Sequence, residues 1–311
     1  MARASCCKLL LWALALSTVF WGSIVGTVFW FHGEKLLSLF RGEDRGMQAT
    51  LDVLHDAIFA ACVDAHTPAF APNETLSWAD DFRAEWMHIR DELYTWERTF
   101  GAVPAFTDID NYQVMQAPHR KWSSLWLKMY GTQTDASRYF PHTMAALART
   151  SASTAMFSIM EPGKGLEKHR GDFKAVLRYH LALEVPPLPR GKTEQDEPLR
   201  LMVAEKLFYT EEGEEIRYQP HVWEEGQDLL FDDTFIHYVQ NERTTGRRVV
   251  LFMDVPRTDC GLVVNGLFHL AVNYIVRYVP RVGHIVANAN AFMKQAEEDK
   301  LAEAGERTDE L

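Results

Sequence analysis

Two histidines, His169 and His237, stand in contexts that offer more than a metal ligand. His169 follows Phe157-Ser158-Ile159-Met160-Glu161-Pro162-Gly163 and opens His169-Arg170-Gly171, ahead of Leu177-Arg178-Tyr179-His180-Leu181. His237 closes Phe231-Asp232-Asp233-Thr234-Phe235-Ile236-His237, after Trp223-Glu224-Glu225-Gly226, and Arg248 begins the apolar run behind it. Two imidazoles from distant strands, each with an arginine downstream, suit an iron centre that also holds a small dicarboxylate. Imidazole is a ligand for iron, and the planar guanidinium fork matches a carboxylate.

The elements that must position these residues read as strands. From Ala155 to Val255, short alternating apolar runs are broken by Pro-Gly, Gly-Lys and Glu-Gly turns, the pattern of an antiparallel β fold. Residues two apart on a strand share a face. Arg178 and His180 therefore point with Val176 and Ala182, opposite Leu177, Tyr179, Leu181 and Leu183. Arg248 shares its face with Val250, Phe252 and Asp254, and His237 with Phe235 and Val239. Arginine buried among such residues is costly unless an anion meets it. Ahead of the strands, Phe82, Trp86, Ile89, Leu93 and Trp96 predict an amphipathic helix over 80–100. A second helix is expected over 136–149, and the tryptophan-rich stretch 121–131 between them reads as part of a packed helical layer. Residues 186–198 form a polar, proline-rich insertion between two strands.

The 311-residue chain carries a net charge of -11, which argues against nucleic acid as a partner, since that needs a basic surface. Leu9 to Phe31 is an apolar run long enough for a membrane-crossing helix, with Trp12 and Trp30 toward its ends. It is too long for the apolar region of a cleaved signal peptide. Basic residues flank both ends, so they do not set the orientation. Three clues favour a lumenal domain in the endoplasmic reticulum over one facing the cytosol. They are the juxtamembrane Cys6 and Cys7, the sequon Asn73-Glu74-Thr75, and the C-terminal Asp309-Glu310-Leu311. Beyond the apolar run only Cys62 and Cys260 remain, which allows at most one internal disulfide. Near the C-terminus, residues 261–279 are apolar except for Asn265, His269, Asn273 and Arg277, spaced by four along one helical stripe. Such a helix docks on the protein or lies in a membrane interface.

From about Phe82 to Asp254 the chain resembles the aspartyl/asparaginyl β-hydroxylase family of iron(II)- and 2-oxoglutarate-dependent dioxygenases. The resemblance rests on Ser158-Ile159-Met160, Pro162-Gly163, His169-x-Gly171, Trp223-Glu224-Glu225-Gly226 and Phe231-Asp232-Asp233. The flanks look closer to bacterial lipid A 2-hydroxylases, through Trp122-x-x-x-Trp126-Leu127-Lys128-x-Tyr130-Gly131, Leu177-Arg178-Tyr179-His180-Leu181 and Ile236-His237-Tyr238. The resemblance implies a mainly β, double-stranded β-helix (jelly-roll, cupin-like) domain with flanking helices behind an N-terminal transmembrane helix. It also implies iron on His169 and His237. The distal carboxylate of 2-oxoglutarate would sit on Arg248 with Ser158, and the keto-acid end on Arg178 with His180; Arg247 is the rival to Arg248. Gly171 stands where most iron oxygenases place a carboxylate ligand, as it does in this family's peptide hydroxylases. Asp172 lies one residue too far along to replace it, and the missing ligand raises halogenation as a distant alternative.

The expected reaction uses dioxygen to hydroxylate an unactivated carbon, in an Asp or Asn side chain of a protein or in an acyl chain of a membrane lipid. The alternative is a non-catalytic, membrane-tethered binding protein that retains the fold. The plan is a tail at 1–8, an anchor at 9–31, a linker at 32–76, the helical layer and hydroxylase domain at 77–257, and an amphipathic helix with an acidic tail at 258–311.

Overall fold

The computed structural model describes residues 67–101, 103–110, 121–171, 173–206 and 215–309. The expected anchor at 9–31, most of the linker, Cys6, Cys7, Cys62, Asp172, Glu310 and Leu311 lie outside the described residues. Among those described, no helix is long and apolar enough to cross a membrane.

Two antiparallel sheets carry the domain. The larger orders β1 (Ala69–Phe70), β9 (Asp228–Phe231), β6 (Val176–Glu184), β11 (Arg248–Pro256), β4 (Thr154–Met160), β2 (Trp122–Met129) and β3 (Thr132–Gln133). The smaller orders β5 (Leu166–His169), β10 (His237–Asn241), β7 (Leu199–Ala204) and β8 (Tyr218–Val222). Alternation along the strands divides the large sheet chemically. Leu177, Tyr179, Leu181, Leu183, Val249, Leu251, Met253, Phe157 and Ile159 belong to one buried apolar cluster, with Ile89, Leu93 and Trp96 of a flanking helix. Burying each such side chain stabilises the fold by about 1.5–3 kcal/mol. The other face holds Ser158, Arg178, His180, Arg248 and Asp254, at alternate positions of the same strands. The apolar core thus lies between sheet and helices, and the polar face is left to build a site.

The helices differ from their expected bounds. The span 80–100 is two helices, α1 (Ala79–Arg83) and α2 (Trp86–Phe100), separated where the Glu85 carboxylate accepts from Arg149 at 2.8 Å and contacts His142 at 3.0 Å. The span 136–149 is a 3-10 turn at Asp135–Tyr139, then α3 (Pro141–Leu147). Pro141 lacks the N–H needed to continue a helix and instead starts one. The stretch 121–131 is not a helical layer; it contains β2, a strand of the larger sheet. Residues 186–198 do connect β6 and β7 without regular structure. After β11 come α4 (Leu262–Leu270), a π-helical turn (Ala271–Ile275), a 3-10 turn (Val276–Tyr278) and α5 (Pro280–Asp309). Cys260 is disulfide-bonded, to a cysteine outside the described residues.

Candidate active site

His169 and His237 face each other as a cross-strand pair between β5 and β10, their ring centroids 4.2 Å apart. Each Nδ1 lies against a backbone carbonyl, Glu167 O at 2.7 Å and Phe235 O at 2.9 Å. A carbonyl only accepts, so each Nδ1 carries the proton and Nε2 holds the lone pair, the tautomer a metal needs. Burial, with the neighbouring His169 adding to it, holds His237 well below the usual imidazole range. It is neutral, and ready to ligate, at physiological pH. Among the described residues no group of three or more His, Cys, Asp or Glu side chains is arranged to hold a metal.

Asp233 explains the glycine two residues after His169. A Cβ at Gly171 would stand 1.9 to 2.4 Å from the Asp233 carboxylate atoms, and the Gly171 N–H donates to Asp233 O at 2.7 Å. The carboxylate absent at 171 is replaced in space by one from the loop before β10. Asp233 is held in turn by Arg178, Nη1 to Oδ2 at 2.8 Å. Its neighbour Asp232 is fully buried between Lys174 and Arg257, the latter at 2.5 Å, and accepts from the Thr234 hydroxyl at 2.6 Å. Burial alone would raise the Asp232 carboxyl, but Arg257 and Lys174 hold it below the usual carboxylate range.

Two predictions arise here. Gly171→Asp is expected to lower iron(II) affinity about 10–100-fold, because the new side chain displaces Asp233; tighter iron binding in a titration would show that Asp233 yields its place. Asp232→Asn removes the carboxylate shared by buried Lys174 and Arg257, leaving Arg257 with Asp259 alone, and is expected to cost about 3–5 kcal/mol in a denaturant melt. A change within about 0.5 kcal/mol, the level of an ordinary surface substitution, would remove the turn-fixing role.

On the larger sheet, Arg248 is 2% exposed, and its Nε has no hydrogen-bond partner. Its guanidinium lies 4.8 Å from the Trp223 ring centroid, and burial pushes its pKa down to about 9. Arg247 is committed elsewhere, to Glu97 at 2.6 and 2.9 Å and Glu184 at 3.1 Å. That separates it from its rival. Ser158, on the strand beside Arg248, accepts from Trp122 Nε1 at 2.9 Å, which leaves its own hydroxyl proton to donate. His180 is buried among Trp223, Phe231 and Phe252, and neither ring nitrogen has a partner. Burial first, then Arg248 and Arg178, hold it well below the usual range, so it is neutral. Arg178 is different: it sits between Asp233 and Asp254, 3.1 Å from the latter, and stacks 4.2 Å from Phe252. Its charge is already matched twice.

The structure therefore brings His169, His237, Arg178, His180, Arg248 and Ser158 to the facing sides of two sheets. Phe231 bridges the sheets, its ring 5.4 Å from both His180 and His237. Sequence reasoning missed Asp254 as partner of Arg178, although it shares the face of Arg248. It also missed Trp223 beside Arg248 and Trp122 behind Ser158. The donor set fits an iron(II) ion with a small dicarboxylate: two lone-pair nitrogens are paired, and on the larger sheet a buried arginine has no anion among the described residues.

The model of the family described as Aspartyl/Asparaginyl beta-hydroxylase matches residues 83–258. The "Ornithine lipid ester-linked acyl 2-hydroxylase" of Rhizobium tropici is 32% identical over 60% of this chain and 60% of its own length. The "Aspartyl/asparaginyl beta-hydroxylase" of Mus musculus is 29% identical over 43% of this chain and 16% of its own. The chain thus spans less than two thirds of either relative. A Pseudomonas putida prolyl-4-hydroxylase structure aligns over 57% of this chain and 88% of its own, with 15% identity and a TM-score of 0.32, too loose to carry further argument.

Proposed function

We propose, since the chain belongs to the aspartyl/asparaginyl β-hydroxylase family, that it is an iron(II)- and 2-oxoglutarate-dependent dioxygenase whose two sheets form a double-stranded β-helix. The observation that carries this reading is Arg248, a buried cation with no anion among the described residues, on the sheet opposite the paired His169 and His237. In this reading His169 and His237 hold the iron through Nε2. Arg248 and Ser158 take the distal carboxylate of 2-oxoglutarate and His180 the keto-acid end, while Arg178, expected from the sequence to share that end, is already matched by Asp233 and Asp254 and positions the loop instead. Together, iron(II), 2-oxoglutarate and dioxygen supply the oxidising chemistry that turns an unactivated C–H into C–OH. The protein's own work is placement. Trp223, Phe231 and Phe252 line the pocket with apolar surface and exclude water, neutral His180 offers a donor without adding charge, and the Asp233–Arg178–Asp254 chain fixes the loop that delivers His237.

The substrate is proposed to be an acyl chain of a membrane lipid, supported by the longer match to the ornithine lipid hydroxylase. The second reading, an Asp or Asn β-carbon, is favoured by the family's own description. Purified protein with iron(II), 2-oxoglutarate, lipid extract and peptide domains, followed by mass spectrometry, separates them. One added oxygen only in the peptide fraction overturns the lipid reading. Binding of 2-oxoglutarate with no succinate produced, under every substrate, would leave a membrane-tethered binding protein. We place the domain in the lumen of the endoplasmic reticulum, anchored by residues 9–31. Support comes from the exposed Asn73 and from the disulfide at Cys260, which suits an oxidising compartment. Loss of an endoglycosidase-sensitive mass shift in Asn73→Gln is the expected check; its absence in the parent chain favours the cytosol.

A further inference from the structure

Most of the large apolar side chains that the described residues leave exposed fall in one short segment. Leu262 is 91% exposed, Tyr278 80%, Tyr274 59% and Ile275 58%, with Leu267 and Leu270 beside them. The segment runs from α4 through the π-helical turn, which inserts a residue and brings Tyr274 and Ile275 together onto the outer side. Three of its polar residues, Asn265, Asn273 and Arg277, are half-buried and engaged locally or against the fold. Asn265 accepts from the Cys260 N–H at 3.1 Å and donates to Thr258 O at 2.7 Å, and Asn273 donates to His269 O at 2.9 Å. The Arg277 guanidinium reaches to 3.2 Å from where a Cβ on Gly131 would stand. Phe268 and Val272 are buried beneath. Asn265, Asn273 and Arg277 of the polar stripe are thus half-buried, His269 is exposed, and the large apolar side chains Leu262, Leu270, Tyr274, Ile275 and Tyr278 lie on the outside.

Charge narrows what can cover that side. From Cys260 to Ala296 there is no Asp or Glu, in a chain that holds 43; of its cations Arg281 pairs with Asp110 at 2.7 Å and Arg277 packs against Gly131. An acid-free, weakly basic segment presenting leucine, isoleucine and two tyrosines has the composition of an interfacial membrane helix. The segment also adjoins the site. Gly131, against which Arg277 packs, donates to Ser153 O at 2.9 Å; Ser153 donates to Asp254 O at 2.8 Å, and Asp254 holds Arg178.

We propose that the outer face of Leu262–Tyr278 lies in the interface of an anionic lipid bilayer and seats the domain with the Arg178–Asp254 end of its site toward the membrane. The surface stands independently of the catalytic reading. The full chain, reconstituted in vesicles of phosphatidylcholine and phosphatidylglycerol, would carry an environment-sensitive fluorescent amino acid in place of Leu270, Tyr274 or, as control, the exposed Leu301 of α5. Spin-labelled acyl chains are expected to quench the first two by about half or more, and the control hardly at all, at the shallow depth of an interfacial helix. Unquenched emission at 270 and 274 overturns the proposal. So does a blue-shifted but unquenched signal, which would mean that another copy or residues 1–66 cover the face. Turnover of 2-oxoglutarate in the same vesicles is read separately, so quenching without turnover counts only against the catalytic reading.

Discussion

Replacing Arg248 by methionine is expected to abolish 2-oxoglutarate turnover while stabilising the ligand-free protein. Arg248 is buried, lies over Trp223 and meets no carboxylate among the described residues. Exchanging a buried ion for an apolar side chain of similar volume commonly gains about 1–4 kcal/mol. Removing the buried partner of a bound carboxylate costs about 2–5 kcal/mol of affinity, or roughly 30- to 5,000-fold. The two effects have opposite signs, which a general packing defect cannot imitate. Calorimetric titration with 2-oxoglutarate, beside a denaturant melt of the apo protein, reads both; a less stable variant that still binds 2-oxoglutarate normally would remove Arg248 from the site. Arg247→Met is the control, losing Glu97 and Glu184 but keeping 2-oxoglutarate binding.

The pH dependence carries the same signature. With its folded pKa pushed down to about 9 and its unfolded value above about 12, Arg248 burdens the fold fully below pH 9. As pH rises through that value the folded chain releases the proton first, so this group's contribution to stability improves while 2-oxoglutarate binding weakens. Arg248→Met should flatten both slopes.

Much of this site could be read from alternation alone. Once β6 and β11 are strands, Arg178 and His180 must share a face, and so must Arg248 and Asp254. The tryptophans of β2 were less legible, because a spacing of four puts Trp122 and Trp126 on one side of a helix and of a strand alike. Only pairing with β4 decides it. The choice of Arg248 over Arg247 follows from the same alternation, since Arg248 pairs in unbroken register with β4 through to Asp254; what the sequence did not show is that Arg247 is held by Glu97 and Glu184. Asp233 filling the space at Gly171 is a loop contact across many residues, and the buried Lys174–Asp232–Arg257 group has no periodicity to betray it.

His237→Ala and His169→Ala should each lower iron(II) affinity by more than about a hundredfold, since even the partners that orient a ligand are worth 10–100-fold. Turnover should fall at least as far. With only two imidazoles in the pair, neither loss leaves a competent pocket. The variants should differ in stability, because His237 is 3% exposed whereas His169 is only half-buried. The folded chain keeps His237 neutral well below the usual value, while the unfolded chain takes up the proton near about pH 6.5. Apo stability must therefore decline as pH drops below that value. His237→Ala removes this group's share of the decline, which melts across the acid range will show as a shallower slope. Asp233 supplies the remaining discrimination. If His237→Ala bound iron within about tenfold of the parent, less than the loss of an orienting partner, the carboxylate beside Gly171 would have to be a ligand and not a neighbour held by Arg178.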